Sequence, residues 1–499
     1  MNWSRQLNKR FSLVNIAVIV LPGALALVNI LVSVSKAGPG FPLDDAWIHQ
    51  TFARNFALAG TWAFQVGSSS GGSTSPLWTM LLVPGYWVKN LQPYVATYAL
   101  GILFFVVLVW LGKKCVEVIG RDSKHLKFLI GSWILLAATA WQLIWAAGSG
   151  METLIYSAII MAVFYFAIAR NRGWVWAAGI LIGIGVWVRP DAVTLIGPVG
   201  LVLLLATGNI GSKLKNLAKV LLAMAVPVAG YLVWNLLMSG EIFPNTFYAK
   251  QAEYAVMLNA PLFARLFNVF IPLFAGACVV LLPGMVYAAW RSWKDRTYAL
   301  VAIFIWCLGF GLIYALRLPV NYQHGRYMMP VLAPLILLGT VGTFEIIVNW
   351  IEKKARVSWI LTRAWVMSIA IVAAAFWIRG IGQYNDDVQA INSLMVSPAK
   401  WIAANTQPAD IIAVHDIGAM GYFGQRKIVD LAGLVNPEVI PIIRNEAALE
   451  EYIVEQNADY LVVLRDWYPD LEISGTGVAE FSYISDTADQ TMLIRKLER

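Results

Sequence analysis

About eleven stretches of this chain are too apolar and too long to lie comfortably in water, and they constrain the fold before any motif does. They run near 11–34, 94–111, 128–147, 153–169, 174–188, 192–206, 220–238, 269–290, 298–316, 328–350 and 365–378. A helix needs roughly 20 apolar residues to cross a bilayer, and only helices or closed barrels satisfy their backbone hydrogen bonds there. Several of the runs fall a little short of that length. Composition agrees: 59% of the 499 residues are apolar and 13% charged, against about 25% charged in a soluble domain. The expectation is a multispanning α-helical membrane protein whose solvent is the lipid bilayer.

The net charge of +8 would suit a nucleic-acid partner if it were pooled in one patch. Instead the cations recur in short clusters between apolar runs: Arg5, Lys9 and Arg10; Lys113, Lys114, Arg121, Lys124 and Lys127; Arg170 and Arg172; Lys213, Lys215 and Lys219; Arg291, Lys294 and Arg296; Lys353, Lys354 and Arg356. That pattern fixes orientation in a membrane and argues for no nucleic acid. It puts these loops and the N-terminus in the cytoplasm, and an odd number of spans then leaves the C-terminal segment outside. The first apolar run exceeds the roughly 7–15 residues of a signal core and no small-x-small cleavage site follows, so it predicts a retained anchor in the cell membrane.

Long apolar runs stop before Tyr384, dividing the chain into a membrane region, 1–383, and an extracytoplasmic α/β region, 384–499. In the latter, "IIAV", "KIVDL" and "YLVVL" read as strands alternating with the helical "AALEEYIVEQ". The glycines of "HDIGAMGYFG" are spaced G-x-x-G-x-x-G. They lack the tight first turn of a dinucleotide loop and predict a turn around a short helix. Cys115, Cys278 and Cys307 fall in a cytoplasmic loop and two spans, so no disulfide framework is expected in the tail.

Polar residues without a topological reason gather in the outward connections. These hold Asp44, Asp45 and His49; "SGGSTSPLW"; Glu152 in "GSGMET"; Arg189 and Asp191 in "RPD"; Asn245, Tyr248 and Lys250 in "GEIFPNTFYAK"; and His324, Arg326 and Tyr327 in "RLPVNYQHGRYMMP". Ionisable residues are scarce in the runs themselves, Glu345 lying near a cytoplasmic end. An ion-coupled transporter would carry them at mid-membrane, so the distribution predicts an outward-facing surface site. Carboxylates beside cations suit removal of a proton from an acceptor hydroxyl while an anionic leaving group departs. Outside the cytoplasm, where free nucleotide sugars are not supplied, a lipid-linked phospho-sugar fits both the location and the charges.

Each residue also has a plainer reading. Asp44 follows Pro42 and Leu43 and suits a helix N-cap; Asp45 would then favour the helix dipole. Arg189 could snorkel, Pro244 and Asn245 could form a turn, and Trp78 could anchor at the interface. Tyr422, Phe423 and Trp467 could stack on sugars or fill a core. Asp45 and His49 are spaced i, i+4 and share a face if "DAWIHQTFARNFALAG" is helical.

In order, "DDAWIHQTFARNFALAGTWAF…STSPLW", "SGMET", "RPD", "PNTFYAK" and "HGRYMMP" resemble the GT-C superfamily of membrane glycosyltransferases, and most the mycobacterial terminal arabinofuranosyltransferase-like group. The resemblance extends into the tail at "HDIGAMGYFGQRKIVDLAGLVNPE". It implies transfer of a sugar, with inversion, from a polyprenyl-phosphate donor to a glycan or glycolipid acceptor. Asp44 or Asp45 would be the general base. Gly71 and Ser73 stand where that group carries an acidic and an aromatic residue, which leaves the donor sugar open. No cofactor is required by this reading, although a divalent cation is compatible with it. The alternatives are a lipid or polysaccharide transporter and a non-catalytic envelope assembly protein.

Overall fold

The structure, a computed structural model, describes residues 13–67, 70–353, 355–485 and 489–498. Arg5, Lys9 and Arg10, the first two residues of the 11–34 run, Ser68 and Ser69 beside "SGGSTSPLW", and Lys354 lie outside the described residues. In chain order, α1 (Leu13–Ala37) leads into α2 (Asp45–Ala59), α3 (Pro76–Leu82) and α4 (Pro93–Ile119). Next come α5 (Leu126–Ala138), α6 (Trp141–Gly148), α7 (Thr153–Ala169) and α8 (Trp174–Val188). A 3-10 turn from Pro190 precedes α9 (Ile196–Leu205), and α10 (Ile210–Ser239) is followed by α11 (Asn245–Glu253) and α12 (Leu262–Phe270). The bundle ends with α13 (Cys278–Lys294), α14 (Ala299–Arg317), α15 (Met329–Glu352) and α16 (Arg356–Ile391), the last continuing through a π turn into α17 (Ser397–Asn405).

Among the described residues the apolar runs are mostly helical, but they are not equal spans. Among the described residues six helices are long and apolar enough to cross a membrane, or up to eight if each of two bent pairs is one span. Three shorter apolar helices account for the remaining runs. The 128–147 run bends by 55° between α5 and α6, and the 269–290 run turns by 105° before α13. Cys115, Lys113 and Lys114 are not in a loop: α4 continues beyond its apolar stretch to Ile119.

Close packing of α13 on α15 depends on glycine. A Cβ at Gly342 would lie 1.9 Å from the Gly284 carbonyl oxygen, so the two backbones touch, as small residues allow in membrane bundles.

The tail carries a five-stranded sheet in the order β2-β1-β3-β5-β4. It is built from β1 (Ile411–Val414), β2 (Lys427–Asp430), β3 (Tyr460–Leu464), β4 (Gly475–Ile484) and β5 (Asp489–Leu497). β1 runs parallel to β2 and β3, whereas β5 is antiparallel to both β3 and β4. Side chains alternate as strand geometry requires. Ile412, Val414, Ile428 and Val462 join the core shared with the helices. Ala413, Val429, Leu461 and Val463 instead pack with Leu449 and Ile453 of α18 (Glu446–Glu455). The change of composition at Tyr384 falls inside α16, where the Tyr384 hydroxyl donates to the Gly148 carbonyl at 3.0 Å.

Gly342→Val should therefore lower the melting temperature in detergent, since overpacking costs about 1–3 kcal/mol. Gly131→Ala, at a position with nothing within 4 Å of the added carbon, is the control expected to melt as the parent does. Equal melting of both variants would rule out the close crossing.

Candidate active site

The adjacent aspartates have different jobs in the structure. Asp44 occupies the N-cap position of α2 but makes no side-chain cap bond there. Its carboxylate instead accepts the Gly418 N–H at 2.7 Å and the Ala419 N–H at 2.8 Å. It therefore caps the helical turn Ile417–Ala419 of the tail, and the own-helix N-cap reading is overturned. Burial, reinforced by Asp416, pushes Asp44 up to about 8, although the two N–H bonds oppose that rise. Around this contact Trp47 packs on Tyr422 and Phe423, with ring centroids 4.9 and 4.6 Å away. The Arg54 guanidinium donates to the Tyr422 carbonyl at 2.7 Å. Tyr422 and Phe423 thus form a seam between the first connection and the tail.

Asp45 points elsewhere, as successive helical residues must, about 100° apart. It lines a cavity of about 710 Å³ together with His49, Glu152, Arg189, Asp191, Tyr248, Lys250, Arg326 and Tyr327. The shared face of Asp45 and His49 is therefore realised. Burial favours the neutral acid, but the charges of Arg326 and Lys250 hold the Asp45 carboxyl down at about 2. Arg326 Nη2 donates to Asp45 Oδ2 at 2.5 Å and to the Tyr327 hydroxyl at 3.3 Å.

A second cluster also lines the cavity. Proline at position 190 disfavours helical backbone in the residue before it, and Arg189 is extended at φ −151°, ψ 130°. Its guanidinium meets Asp191 Oδ2 at 3.1 Å and Glu152 Oε1 at 3.5 Å, and it donates to the Tyr314 hydroxyl at 2.7 Å. His49 Nε2 lies 3.8 Å from Glu152 Oε2, while its Nδ1 is 2.7 Å from Thr79 Oγ1. Burial lowers the basicity of His49 and favours the neutral ring. Lys250 pairs with Glu253 at 3.3 Å.

These groups are not fully satisfied. Arg326 Nε and Nη1, Glu152 Oε2 and Asp191 Oδ1 are buried without a hydrogen-bond partner. Unpaired buried polar groups are costly, and here the two guanidinium nitrogens accompany Lys250 at the cavity, a donor set suited to phosphate oxygens. Among the described residues no group of three or more His, Cys, Asp and Glu side chains is disposed to hold a metal. Asp45 is engaged by Arg326, and His49 Nδ1 by Thr79.

Asp44, Asn245 and His324 are not in the cavity lining. Asn245 starts α11, beside the lining residues Pro244 and Thr246. His324 Nε2 meets Asp387 Oδ2 of α16 at 2.6 Å, with the ring against Trp141 and Trp145. Trp78 is 1% exposed and its indole donates to the Gly150 carbonyl at 2.9 Å, so it is a core residue, not an interfacial anchor. Sequence reading missed Tyr314, Thr79 and Glu253. Only Glu253 carried a local signal, lying three residues beyond Lys250 on α11. It also missed His415, whose Nε2 is 3.7 Å from Glu253 Oε1.

Over 95% of this chain and 97% of the other, the fold is similar to ArnT from Cupriavidus metallidurans bound to undecaprenyl phosphate, with a TM-score of 0.62 and 15% identity. The apo form of that protein gives 0.59, also at 15% identity and with the same coverage. The Archaeoglobus fulgidus oligosaccharyltransferase tethered with an acceptor peptide matches 96% of this chain and 74% of its own, with a TM-score of 0.54 and 13% identity. A family model described as a domain of unknown function (DUF8728) matches residues 382–494. A search of curated proteins returns no match. The chain thus has a GT-C-like fold: a multispanning helical membrane region with a C-terminal mixed α/β sheet.

Asp44→Ala should destabilise the protein by about 1–3 kcal/mol, because two buried N–H groups lose their acceptor. The pH dependence has a defined sign. The folded-state value of Asp44 is raised from 3.8 to about 8, so its contribution is fully present below the lower value and is lost as pH rises through the higher one. Melting curves across that interval should fall more steeply for the parent than for Asp44→Asn. Parallel curves would show that Asp44 does not titrate in this way.

Proposed function

We propose that the protein is an integral membrane glycosyltransferase. It moves a sugar from a polyprenyl-phosphate donor to a hydroxyl of an extracytoplasmic glycan or glycolipid, with inversion. One observation carries this reading: Asp45, Arg326 and Lys250 meet at a cavity that also has apolar sides, Phe243, Phe247, Ile313 and Leu318 among them. An isoprenoid phosphate has this same division between charge and hydrocarbon. The likeness of the fold to a protein whose structure holds undecaprenyl phosphate supports the assignment.

In the mechanism, Arg326 and Lys250 bind the donor phosphate and stabilise the charge that grows as the bond from the anomeric carbon to the phosphate oxygen breaks. Asp45 takes the acceptor hydroxyl proton as the acceptor oxygen attacks the opposite face of that carbon, and polyprenyl phosphate leaves. In the free protein Asp45 is held near 2 by Arg326 and Lys250, too acidic for an efficient base at neutral pH. A phosphate that draws Arg326 away raises the proton affinity of Asp45, so the base becomes competent when donor is bound. Arg189, Asp191, Glu152 and His49 form the wall that orients sugar hydroxyls, with Tyr248 and Tyr327 as flanking rings. Asn245 and His324 support this frame from outside the lining.

Asp44 holds the tail and is not the base. The motif order resembles that of the terminal arabinofuranosyltransferase-like group, but Gly71 and Ser73 depart from it, so the donor is a pentosyl or a hexosyl polyprenyl phosphate. The membrane orientation in this reading leaves the N-terminus cytoplasmic and the tail outside.

Asp45→Asn should lower release of polyprenyl phosphate from labelled donor by about 10²–10⁴-fold, whereas Asp44→Asn should retain turnover. A panel of pentosyl and hexosyl donors in the same assay identifies the sugar. Full turnover in Asp45→Asn would sink the catalytic reading and return the choice to a transporter or an assembly protein.

A further inference from the structure

A second cavity, of about 740 Å³, opens between α1, α4 and α5 and shares no lining residue with the first. Its polar side is formed by Lys113, Lys114 and Glu117 of α4 and Lys127 of α5. Thr97, near the other end of α4, hydrogen-bonds Gln50 of α2 at 2.8 Å. At 1.5 Å per residue, Lys113 lies roughly 24 Å along the helix from Thr97. The two cavities therefore sit toward opposite ends of the bundle.

Glu117 is shared between two amines. Its Oε1 is 2.6 Å from Lys113 Nζ and its Oε2 is 2.9 Å from Lys114 Nζ. Lys113 is only 6% exposed, and a buried ammonium needs an anion close by. One carboxylate stands among three lysines here, pairing with Lys113 and Lys114, and Lys127 meets no carboxylate in an ion pair among the described residues. The site therefore has cationic charge to spare, held in place by Glu117.

The rest of the cavity is apolar. Val14, Val18 and Ile19 of α1 and Ile130 of α5 line it. Trp110, 45% exposed, lies at the boundary with Lys114 Nζ 5.8 Å from its ring centroid. Leu13 and Ile19 are 85% and 61% exposed, so the apolar wall continues onto a surface suited to lipid chains. Amines grouped at one end of an apolar groove between membrane helices match an anionic head joined to hydrocarbon. Free phosphate matches only the amines.

We propose that this cavity is a binding site for an anionic phospholipid, with the lipid phosphate on Lys114 and Lys127 and its acyl chains along α1. The site is separate from the donor cavity and does not depend on the glycosyltransferase reading. Tryptophan and lysine together set the depth of the head group, and occupancy fastens α1 to α4 and α5.

The test uses the full chain in detergent, with lipid retention followed by native mass spectrometry and melting followed in parallel. Phosphatidylglycerol, phosphatidylcholine and inorganic phosphate are the probes. The parent should retain phosphatidylglycerol in preference to phosphatidylcholine and should melt higher with it. Lys114→Gln combined with Lys127→Gln should lose about tenfold or more in apparent affinity for phosphatidylglycerol. Lys127→Glu, at an exposed position on α5, should weaken the same binding without touching α4, which keeps the test intact if the double variant folds poorly. Equal retention of the two lipids, displacement of phosphatidylglycerol by an equal concentration of inorganic phosphate, or unchanged affinity in the variants would each overturn the proposal.

Discussion

The contact on which the site depends is a carboxylate reaching from the first connection to the tail. Asp44 accepts two backbone N–H groups, from Gly418 and Ala419. This contact admits little variation, since a Cβ at Gly418 would lie 2.1 Å from the Asp44 carbonyl oxygen. With Asp44 turned to the tail, the helical repeat turns Asp45 toward the cavity. One carboxylate thus positions the other, and the tail takes part in building a site whose walls come mostly from the membrane region.

The site is also arranged as a balance of charges. Arg326 lies with Asp45, Arg189 with Asp191 and Glu152, and Lys250 with Glu253. Such pairs let cations remain charged in a largely buried place, because removing one partner leaves an unpaired charge. In the proposed reaction, an incoming phosphate would exchange partners within this set, and the same guanidinium would link its binding to activation of the base.

Much of this architecture is legible in the residues. Apolar runs identify the helices, and the short apolar "IIAV" and "YLVVL" identify the inner strands. The β4–β5 pair is less visible because the side chains of β4 are largely exposed and carry no continuous apolar signal. The separate roles of Asp44 and Asp45 are not visible locally, since the partners of Asp44 lie 374 and 375 residues away. His324 poses the same difficulty: its flank resembles a site motif, but its partner Asp387 comes from α16, 63 residues on. In both cases the deciding contact is made by the fold, whereas the candidate residues themselves are recognisable by their charge and order.

Gln65 gives the attachment of the tail another meaning. Its side-chain amide donates to the Ile428 carbonyl at 2.9 Å and accepts the Ile428 N–H at 3.2 Å. It thereby imitates one residue of a neighbouring strand. Ile428 belongs to β2, the outer strand on that side of the sheet, and open strand edges recruit other chains. The first membrane connection therefore also acts as a stopper for the sheet, shielding in the full chain an edge that the tail would expose if it were separated from its membrane region.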